Sequence, residues 1–215
     1  MGVGVLELGV LGPVRAARDG RELGLGGPKQ RAVLALLLVE AGRVVPAEYL
    51  AEVLWRGAPP PGAGKTLRSY VSRLRSLLGP EATLAGRGGG YVITVGPDRV
   101  DAARFERLVG AGRDALSRGE AAAAAGRFAE ALALWRGRAL ADVAEVEPLA
   151  LEAARLEELR LAVSGRRWRC GGAGRWPMCV RWRRWRWKAP GWRSFGWRRW
   201  RAGWRPIWRW GGMGR

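Results

Sequence analysis

The sequence predicts an α+β domain over residues 1–97, an all-α segment over 101–163 and a tail of foreign composition over 165–215. Three observations carry this reading. Short β-type runs punctuated by Gly12-Pro13 and Asp19-Gly20 open the chain and give way to helices with apolar periodicity. From Asp101 the chain turns Ala-rich with helical spacing. Beyond Ser164 the acids vanish. Residues 1–165 carry 22 Lys and Arg against 19 Asp and Glu, a net of +3, whereas residues 166–215 carry 16 Lys and Arg and no acid. Since 11 of the 13 Trp also fall in that last stretch, the overall charge of +19 averages two unlike polymers. The first is long enough to bury a core.

Val3, Val5, Leu6, Leu8 and Val10 form a first strand, ended by Gly12-Pro13. A second runs near Val14–Ala17, turns at Asp19-Gly20 and returns through Leu23 and Leu25. Pro28 opens a helix, because proline's fixed φ suits the first helical turn. That helix carries Val33, Leu34, Leu36, Leu37 and Leu38 and stops near Ala41, with Gly42 as its C-terminal signal. Pro46–Trp55 is a shorter helix with Tyr49, Leu50, Val53 and Leu54. The Pro-rich stretch from Ala58 to Gly62 is a loop.

Residues 65–78, KTLRSYVSRLRSLL, form a two-faced helix. At about 100° per residue, Leu67, Tyr70, Val71, Leu74, Leu77 and Leu78 share one side. Lys65, Arg68, Ser69, Ser72, Arg75 and Ser76 share the other, with no carboxylate among them. Cations and small hydroxyls are the groups that meet phosphate oxygens and base edges. Taken alone, a basic helix face is more often only solvated. Here a Gly-rich hairpin follows, with strands at about 83–86 and 91–95, and Pro97 ends the unit. Strands, two helices, a basic helix and a hairpin make a winged helix-turn-helix with an N-terminal sheet.

Helices are expected at 101–118, 120–136 and 146–163, with Gly119, Gly137 and Pro148 at borders or first turns. Such helical hairpins with small residues at their contacts resemble tetratricopeptide units. One pair and half of another are present, and such units need neighbours to cover their apolar faces. Trp55 and Trp135 each end an apolar stripe and are expected in or at the core, with Tyr91 packing the wing against the body.

Several function classes are excluded. The chain has no His, and both cysteines, Cys170 and Cys179, lie in the tail, which removes Cys/His metal sites and imidazole catalysis. A disulfide between those cysteines would need an oxidising compartment. No basic n-region with a cleavage site opens the chain, and Leu34–Val39 is far too short to span a bilayer, so the expected location is cytoplasmic. Gly62-Ala-Gly64-Lys65-Thr66 invites a phosphate-loop reading, but GxxxxGK[ST] puts its first Gly at position 59, which is Pro, and no buried strand precedes it. Glu147, Glu152, Glu157 and Glu158 are helix-surface charges with no partnering base or nucleophile. No enzyme activity and no cofactor are implied.

The run LGPVRAARDGRELGLGGPKQRAVLALLLVEAGRVV, followed by LW, the Pro-rich loop, TLRSYVSRLRSLLG and GGGYVITV, resembles the actinobacterial antibiotic-regulatory activator family. Its members join an OmpR/PhoB-type winged helix to a bacterial transcriptional activator domain, whose opening DAARFERL, ALALWRGRALAD and EAARLEELRL resemble. The resemblance covers roughly residues 4–163. It implies that the third helix enters the major groove of double-stranded DNA. Arg68, Ser69 and Arg73 would then lie nearest the bases, and Lys65, Thr66, Ser72 and Arg75 nearest the phosphates. It also implies that Arg87 at the wing tip reaches the minor groove, and that Lys29 and Arg31 touch the DNA backbone. Where the family's wing reads Arg-Pro-Pro-Gly-Tyr, this chain has Arg87-Gly-Gly-Gly-Tyr91, without proline's fixed φ. Side-by-side copies on direct repeats are expected. The helical segment is expected to mediate self-association or contact with RNA polymerase. OmpR-type winged helices often follow a phosphorylated receiver domain; none precedes Gly4, so a phosphorelay tie is one of family only.

Three readings compete for residues 165–215: a nucleic-acid arm of phosphate-binding Arg and stacking Trp, a membrane-active segment, or a stretch read out of frame. The third is preferred. In a GC-rich gene, Leu-Ala is often CTG-GCG, and slipping one base gives TGG-CG, Trp then Arg. As matter, the tail lacks the aliphatics for a core and is expected to be disordered and to bind polyanions in a salt-dependent way. A polyanion or membrane binder driven by the tail is therefore the competing class to a sequence-specific regulator.

Overall fold

The computed structural model describes residues 5–164. The expectations for the tail, including those for Cys170 and Cys179, lie outside the described residues.

Three strands, β1 (Leu6–Gly9), β2 (Arg15–Arg18) and β3 (Arg21–Glu22), form an antiparallel sheet in sequence order. Leu6 and Leu8 face the core, while Glu7 points outward and pairs with Arg15. Asp19 and Gly20 make the β2–β3 turn with φ of 50° and 76°, the doubly left-handed turn that suits a two-residue hairpin. The expected return through Leu23 and Leu25 forms a strand only at Arg21–Glu22; the Leu23 N–H still donates to the Ala16 carbonyl at 2.8 Å, and Leu25 is buried in the loop beyond.

Helix α1 (Pro28–Val39) starts with Pro in its first turn and ends slightly before Ala41. It is the central helix: Val33, Leu34, Ala35 and Leu37 are wholly buried, so it is covered on several sides rather than along one stripe. Then come β4 (Val45–Pro46), α2 (Ala47–Leu54), α3 (Ala63–Leu78), β5 (Ala82–Arg87) and β6 (Gly90–Val95). The expected helix from Pro46 begins one residue later, because Val45 and Pro46 pair with Tyr91 and Gly90 and make the wing a three-stranded sheet ordered β4-β6-β5. Gly90 is required there, since a Cβ would strike the Val45 and Pro46 backbone.

The helical segment comprises α4 (Asp101–Ser117), α5 (Ala121–Ala133) and α6 (Glu147–Val163). α4 and α5 form a hairpin through Gly119, and Gly112 gives room to the Phe128 ring. α5 stops at Ala133, short of the expected 136. The chain then runs irregularly, burying Ala139, Leu140 and Val143 and standing Phe105 edge-on to Trp135 at a centroid distance of 5.2 Å.

Residues on both sides of the 97–101 junction share one core, with α4 against β1 and α6 against α1. The neighbours that the apolar faces of these helices need are therefore supplied in part by the N-terminal half. The seam is hydrogen-bonded as well as greasy. The β1–β2 connection is too wide for a tight turn, so its backbone needs partners from elsewhere. Asp101 supplies them: its carboxylate accepts from the Val10 N–H (2.8 Å) and Leu11 N–H (3.1 Å) and pairs with Arg136 at 3.0 Å. The Arg136 and Leu140 N–H groups donate to the Leu11 and Val10 carbonyls. The Val14 N–H donates to Asp142.

Asp101→Ala strands two backbone donors and leaves the Arg136 guanidinium only its bond to the Pro13 carbonyl among the described residues. It should cost about 1–3 kcal/mol per buried group left unsatisfied, read as a lower urea midpoint with the m-value unchanged. An unchanged midpoint would mean the seam does not depend on this carboxylate.

Candidate nucleic-acid interface

α3 owes its position to its apolar stripe. Leu67, Val71, Leu74 and Leu78 are buried, and Tyr70 and Leu77 pack at the edge. Gly62, with φ of 86°, turns the chain into the helix, which begins two residues before the expected Lys65. Gly64, Lys65 and Thr66 thus lie inside the first turn, not on a phosphate-cradling loop.

Lys65, Arg68, Ser69, Ser72 and Arg73 are exposed along the outer face. Among the described residues, Lys65, Arg68 and Arg73 make no hydrogen bond or ion pair, so their charge is available to a partner. Thr66 is half-buried and its hydroxyl leans on the Gly62 carbonyl at 3.4 Å. Arg87 is exposed at the end of β5, next to the two-residue turn of Gly88 and Gly89, whose φ of 52° and 77° suit glycine. A cleft of about 460 Å³ lies between the N-terminus of α1 and α3, bordered by Gly27, Lys29, Tyr70 and Arg73. No side chain caps that end of α1. Lys29 stands over the Trp55 ring, 4.7 Å from its centroid, which holds its charge at the cleft mouth.

Two cations expected at DNA are engaged within the protein. Arg31 is half-buried; its guanidinium pairs with Asp142 at 2.6 Å and donates to the Gly26 carbonyl at 2.9 Å. The loop after α5 brings that carboxylate to α1, which removes Arg31 from the candidate set. Arg75 donates from Nε to the Leu84 carbonyl at 2.7 Å, tying α3 to the first wing strand. It positions the wing rather than presenting a free charge.

Arg18 has a role that sequence reasoning missed. From β2 its Nη2 donates to the Leu78 carbonyl (2.8 Å), to the Leu77 carbonyl (3.4 Å) and to Glu81 (3.2 Å). A cation on the last carbonyls of a helix opposes the negative end of its dipole. Gly79 leaves the room: a Cβ there would meet both the Arg18 and Glu81 side chains. The N-terminal sheet thereby fixes the far end of α3. Arg18→Ala should lower stability by about 1–3 kcal/mol, the cost of leaving buried acceptors and Glu81 without their donor, measured by chemical denaturation. A change within error would assign α3's placement to packing alone.

With this geometry in view, the comparisons with known proteins are specific. Residues 20–93 match the model described as "Transcriptional regulatory protein, C terminal", and residues 100–175 match "Bacterial transcriptional activator domain". The regulatory protein DnrI of Streptomyces peucetius is 39% identical over 168 residues, covering 74% of this chain and 62% of that one. The regulatory protein AfsR of Streptomyces coelicolor is 43% identical over 140 residues, 65% of this chain and 14% of that one. A solved structure of Mycobacterium tuberculosis EmbR, in complex with a low affinity phosphopeptide, superposes with a TM-score of 0.72 at 35% identity, over 75% of this chain and 44% of that one. The chain thus spans less than two thirds of each of these proteins. The two domain models in this order, on a winged helix-turn-helix followed by a helical segment, make the chain similar to the actinobacterial antibiotic-regulatory activators.

Proposed function

We propose that this chain is a cytoplasmic, sequence-specific DNA-binding regulator of transcription, of the activator type. One observation carries the reading: α3 is fixed by a buried apolar stripe and presents Lys65, Arg68, Ser69, Ser72 and Arg73 to solvent with no carboxylate beside them. A helix so presented fits the major groove, where guanidinium forks read guanine edges. In this reading Arg68, Ser69 and Arg73 face the bases. Lys65, Thr66, Ser72 and the cleft lined by Lys29 hold phosphates, and Arg87 probes the neighbouring minor groove. Arg75 keeps the wing at the angle this needs. Copies bind side by side on direct repeats, and the helical segment serves contacts between copies or with RNA polymerase. No cofactor takes part. Among the described residues, no helix is long and apolar enough to cross a membrane.

The test uses the full chain on a duplex selected from a random library and on an unselected duplex. Arg73→Ala should weaken binding to the selected duplex by about 1–3 kcal/mol and relax its base preference. Lys65→Ala should weaken both duplexes alike and reduce the salt slope by about 1. If Arg73→Ala binds both duplexes as the parent does, α3 is not the reading element. If no duplex is preferred over random sequence, binding belongs to the tail's unspecific charge.

A further inference from the structure

A second concave site lies at the seam between the outer face of the N-terminal sheet and the adjoining ends of α4 and α5. It has a volume of about 200 Å³, and Leu8, Ala133 and Leu134 are among the residues lining it. Four guanidinium-bearing residues line it, Arg15, Arg99, Arg104 and Arg136, against two carboxylates, Glu7 and Asp101. The carboxylates are already committed. Asp101 accepts from two backbone N–H groups and Arg136, and Glu7 pairs with Arg15, which also reaches Glu22. Among the described residues, the Arg99 guanidinium donates only to the Leu6 carbonyl, at 3.5 Å. The Arg104 guanidinium makes no hydrogen bond or ion pair among the described residues. Two half-buried guanidiniums therefore converge on one cavity without a carboxylate of their own.

We propose that this seam cavity binds a small phosphate-bearing anion, inorganic phosphate or a phosphomonoester of similar size. The fork of an arginine side chain matches the spacing of phosphate oxygens, and partial burial strengthens each charge-assisted hydrogen bond. Size narrows the class: pockets for drug-sized ligands run to about 300–1,000 Å³, so a nucleotide is too large while a phosphate fits. An anion seated here would be held by Arg99, where the winged-helix half ends, and Arg104 of α4, and so would fasten the two halves together. The site is separate from α3.

The test is thermal melting of the full chain against rising inorganic phosphate at constant ionic strength. A ligand that binds the folded state alone raises the melting temperature along a saturation curve. Phosphate on the Arg-rich tail binds folded and unfolded chain alike and cancels, and the general stabilisation of structure by phosphate, an anion excluded from protein surface, persists in every variant. Arg104→Ala removes a side chain with no partner, so its melting temperature without phosphate should equal the parent's. Its saturable shift should vanish or its apparent Kd rise by about tenfold or more, the loss of one charge-assisted hydrogen bond. Arg73→Ala should keep the full shift. Equal phosphate shifts in parent and Arg104→Ala would overturn the proposal. So would a loss of DNA affinity in phosphate-free Arg104→Ala, because the residue would then be serving a DNA phosphate. Neither result bears on whether α3 reads bases.

Discussion

One constraint organises the molecule: α3 must bury four aliphatic side chains while leaving its cations in water. Leu67, Val71, Leu74 and Leu78 are all at or below 2% exposure. Each contributes about 1.5–3 kcal/mol on burial, so the rotation of the helix about its axis is fixed by terms far larger than any preference of the exposed arginines. The basic face is thus a consequence of the core. The partners of α3 are then added at its ends: Gly62 turns the chain in, Arg18 binds the last carbonyls, and Arg75 carries the wing.

The second level of organisation is the seam between the winged-helix half and the helical half. Helices that stack in arrays ordinarily rely on their neighbours in the array to cover apolar surface. Here α4 and α6 lean on β1 and α1 instead, and the β1–β2 connection gives its backbone groups to Asp101, Arg136, Leu140 and Asp142. Asp142 also takes Arg31, so the same contact that joins the halves withdraws one cation from the set proposed to face DNA. A rearrangement at this seam would be felt at α1 and, through it, at α3.

Much of this was legible in the sequence, for local reasons. The two faces of α3, the Pro28 start of α1, the Asp19-Gly20 turn and the wing strands follow from periodicity and turn chemistry within a few residues of each other. What stayed hidden was set by distant partners. β4 is two residues long and exists only because β6 lies beside it. Arg18 reads as an ordinary surface cation and Arg75 as a phosphate contact until folding brings carbonyls to them, and Arg31 reads as a DNA contact until Asp142 arrives from the helical segment. The end of α5 at Ala133 follows the same logic, since the residues beyond it gain more by burying Ala139 and Leu140 at the seam than by another helical turn. A helix-face rule locates cations well and cannot say which of them are already spoken for.

The most direct measurement of the central claim is a position-specific cross-link. A photoreactive side chain placed at Ser69, on the exposed face of α3, is introduced into the full chain, and a second is placed at Ser117 on α4 as a reference. On a selected duplex, the chain carrying the group at residue 69 should couple to a base within the bound site, and the one carrying it at residue 117 should not. Coupling from both positions alike, or from neither while the chain remains bound, would contradict the claim that α3 is the element that reads DNA.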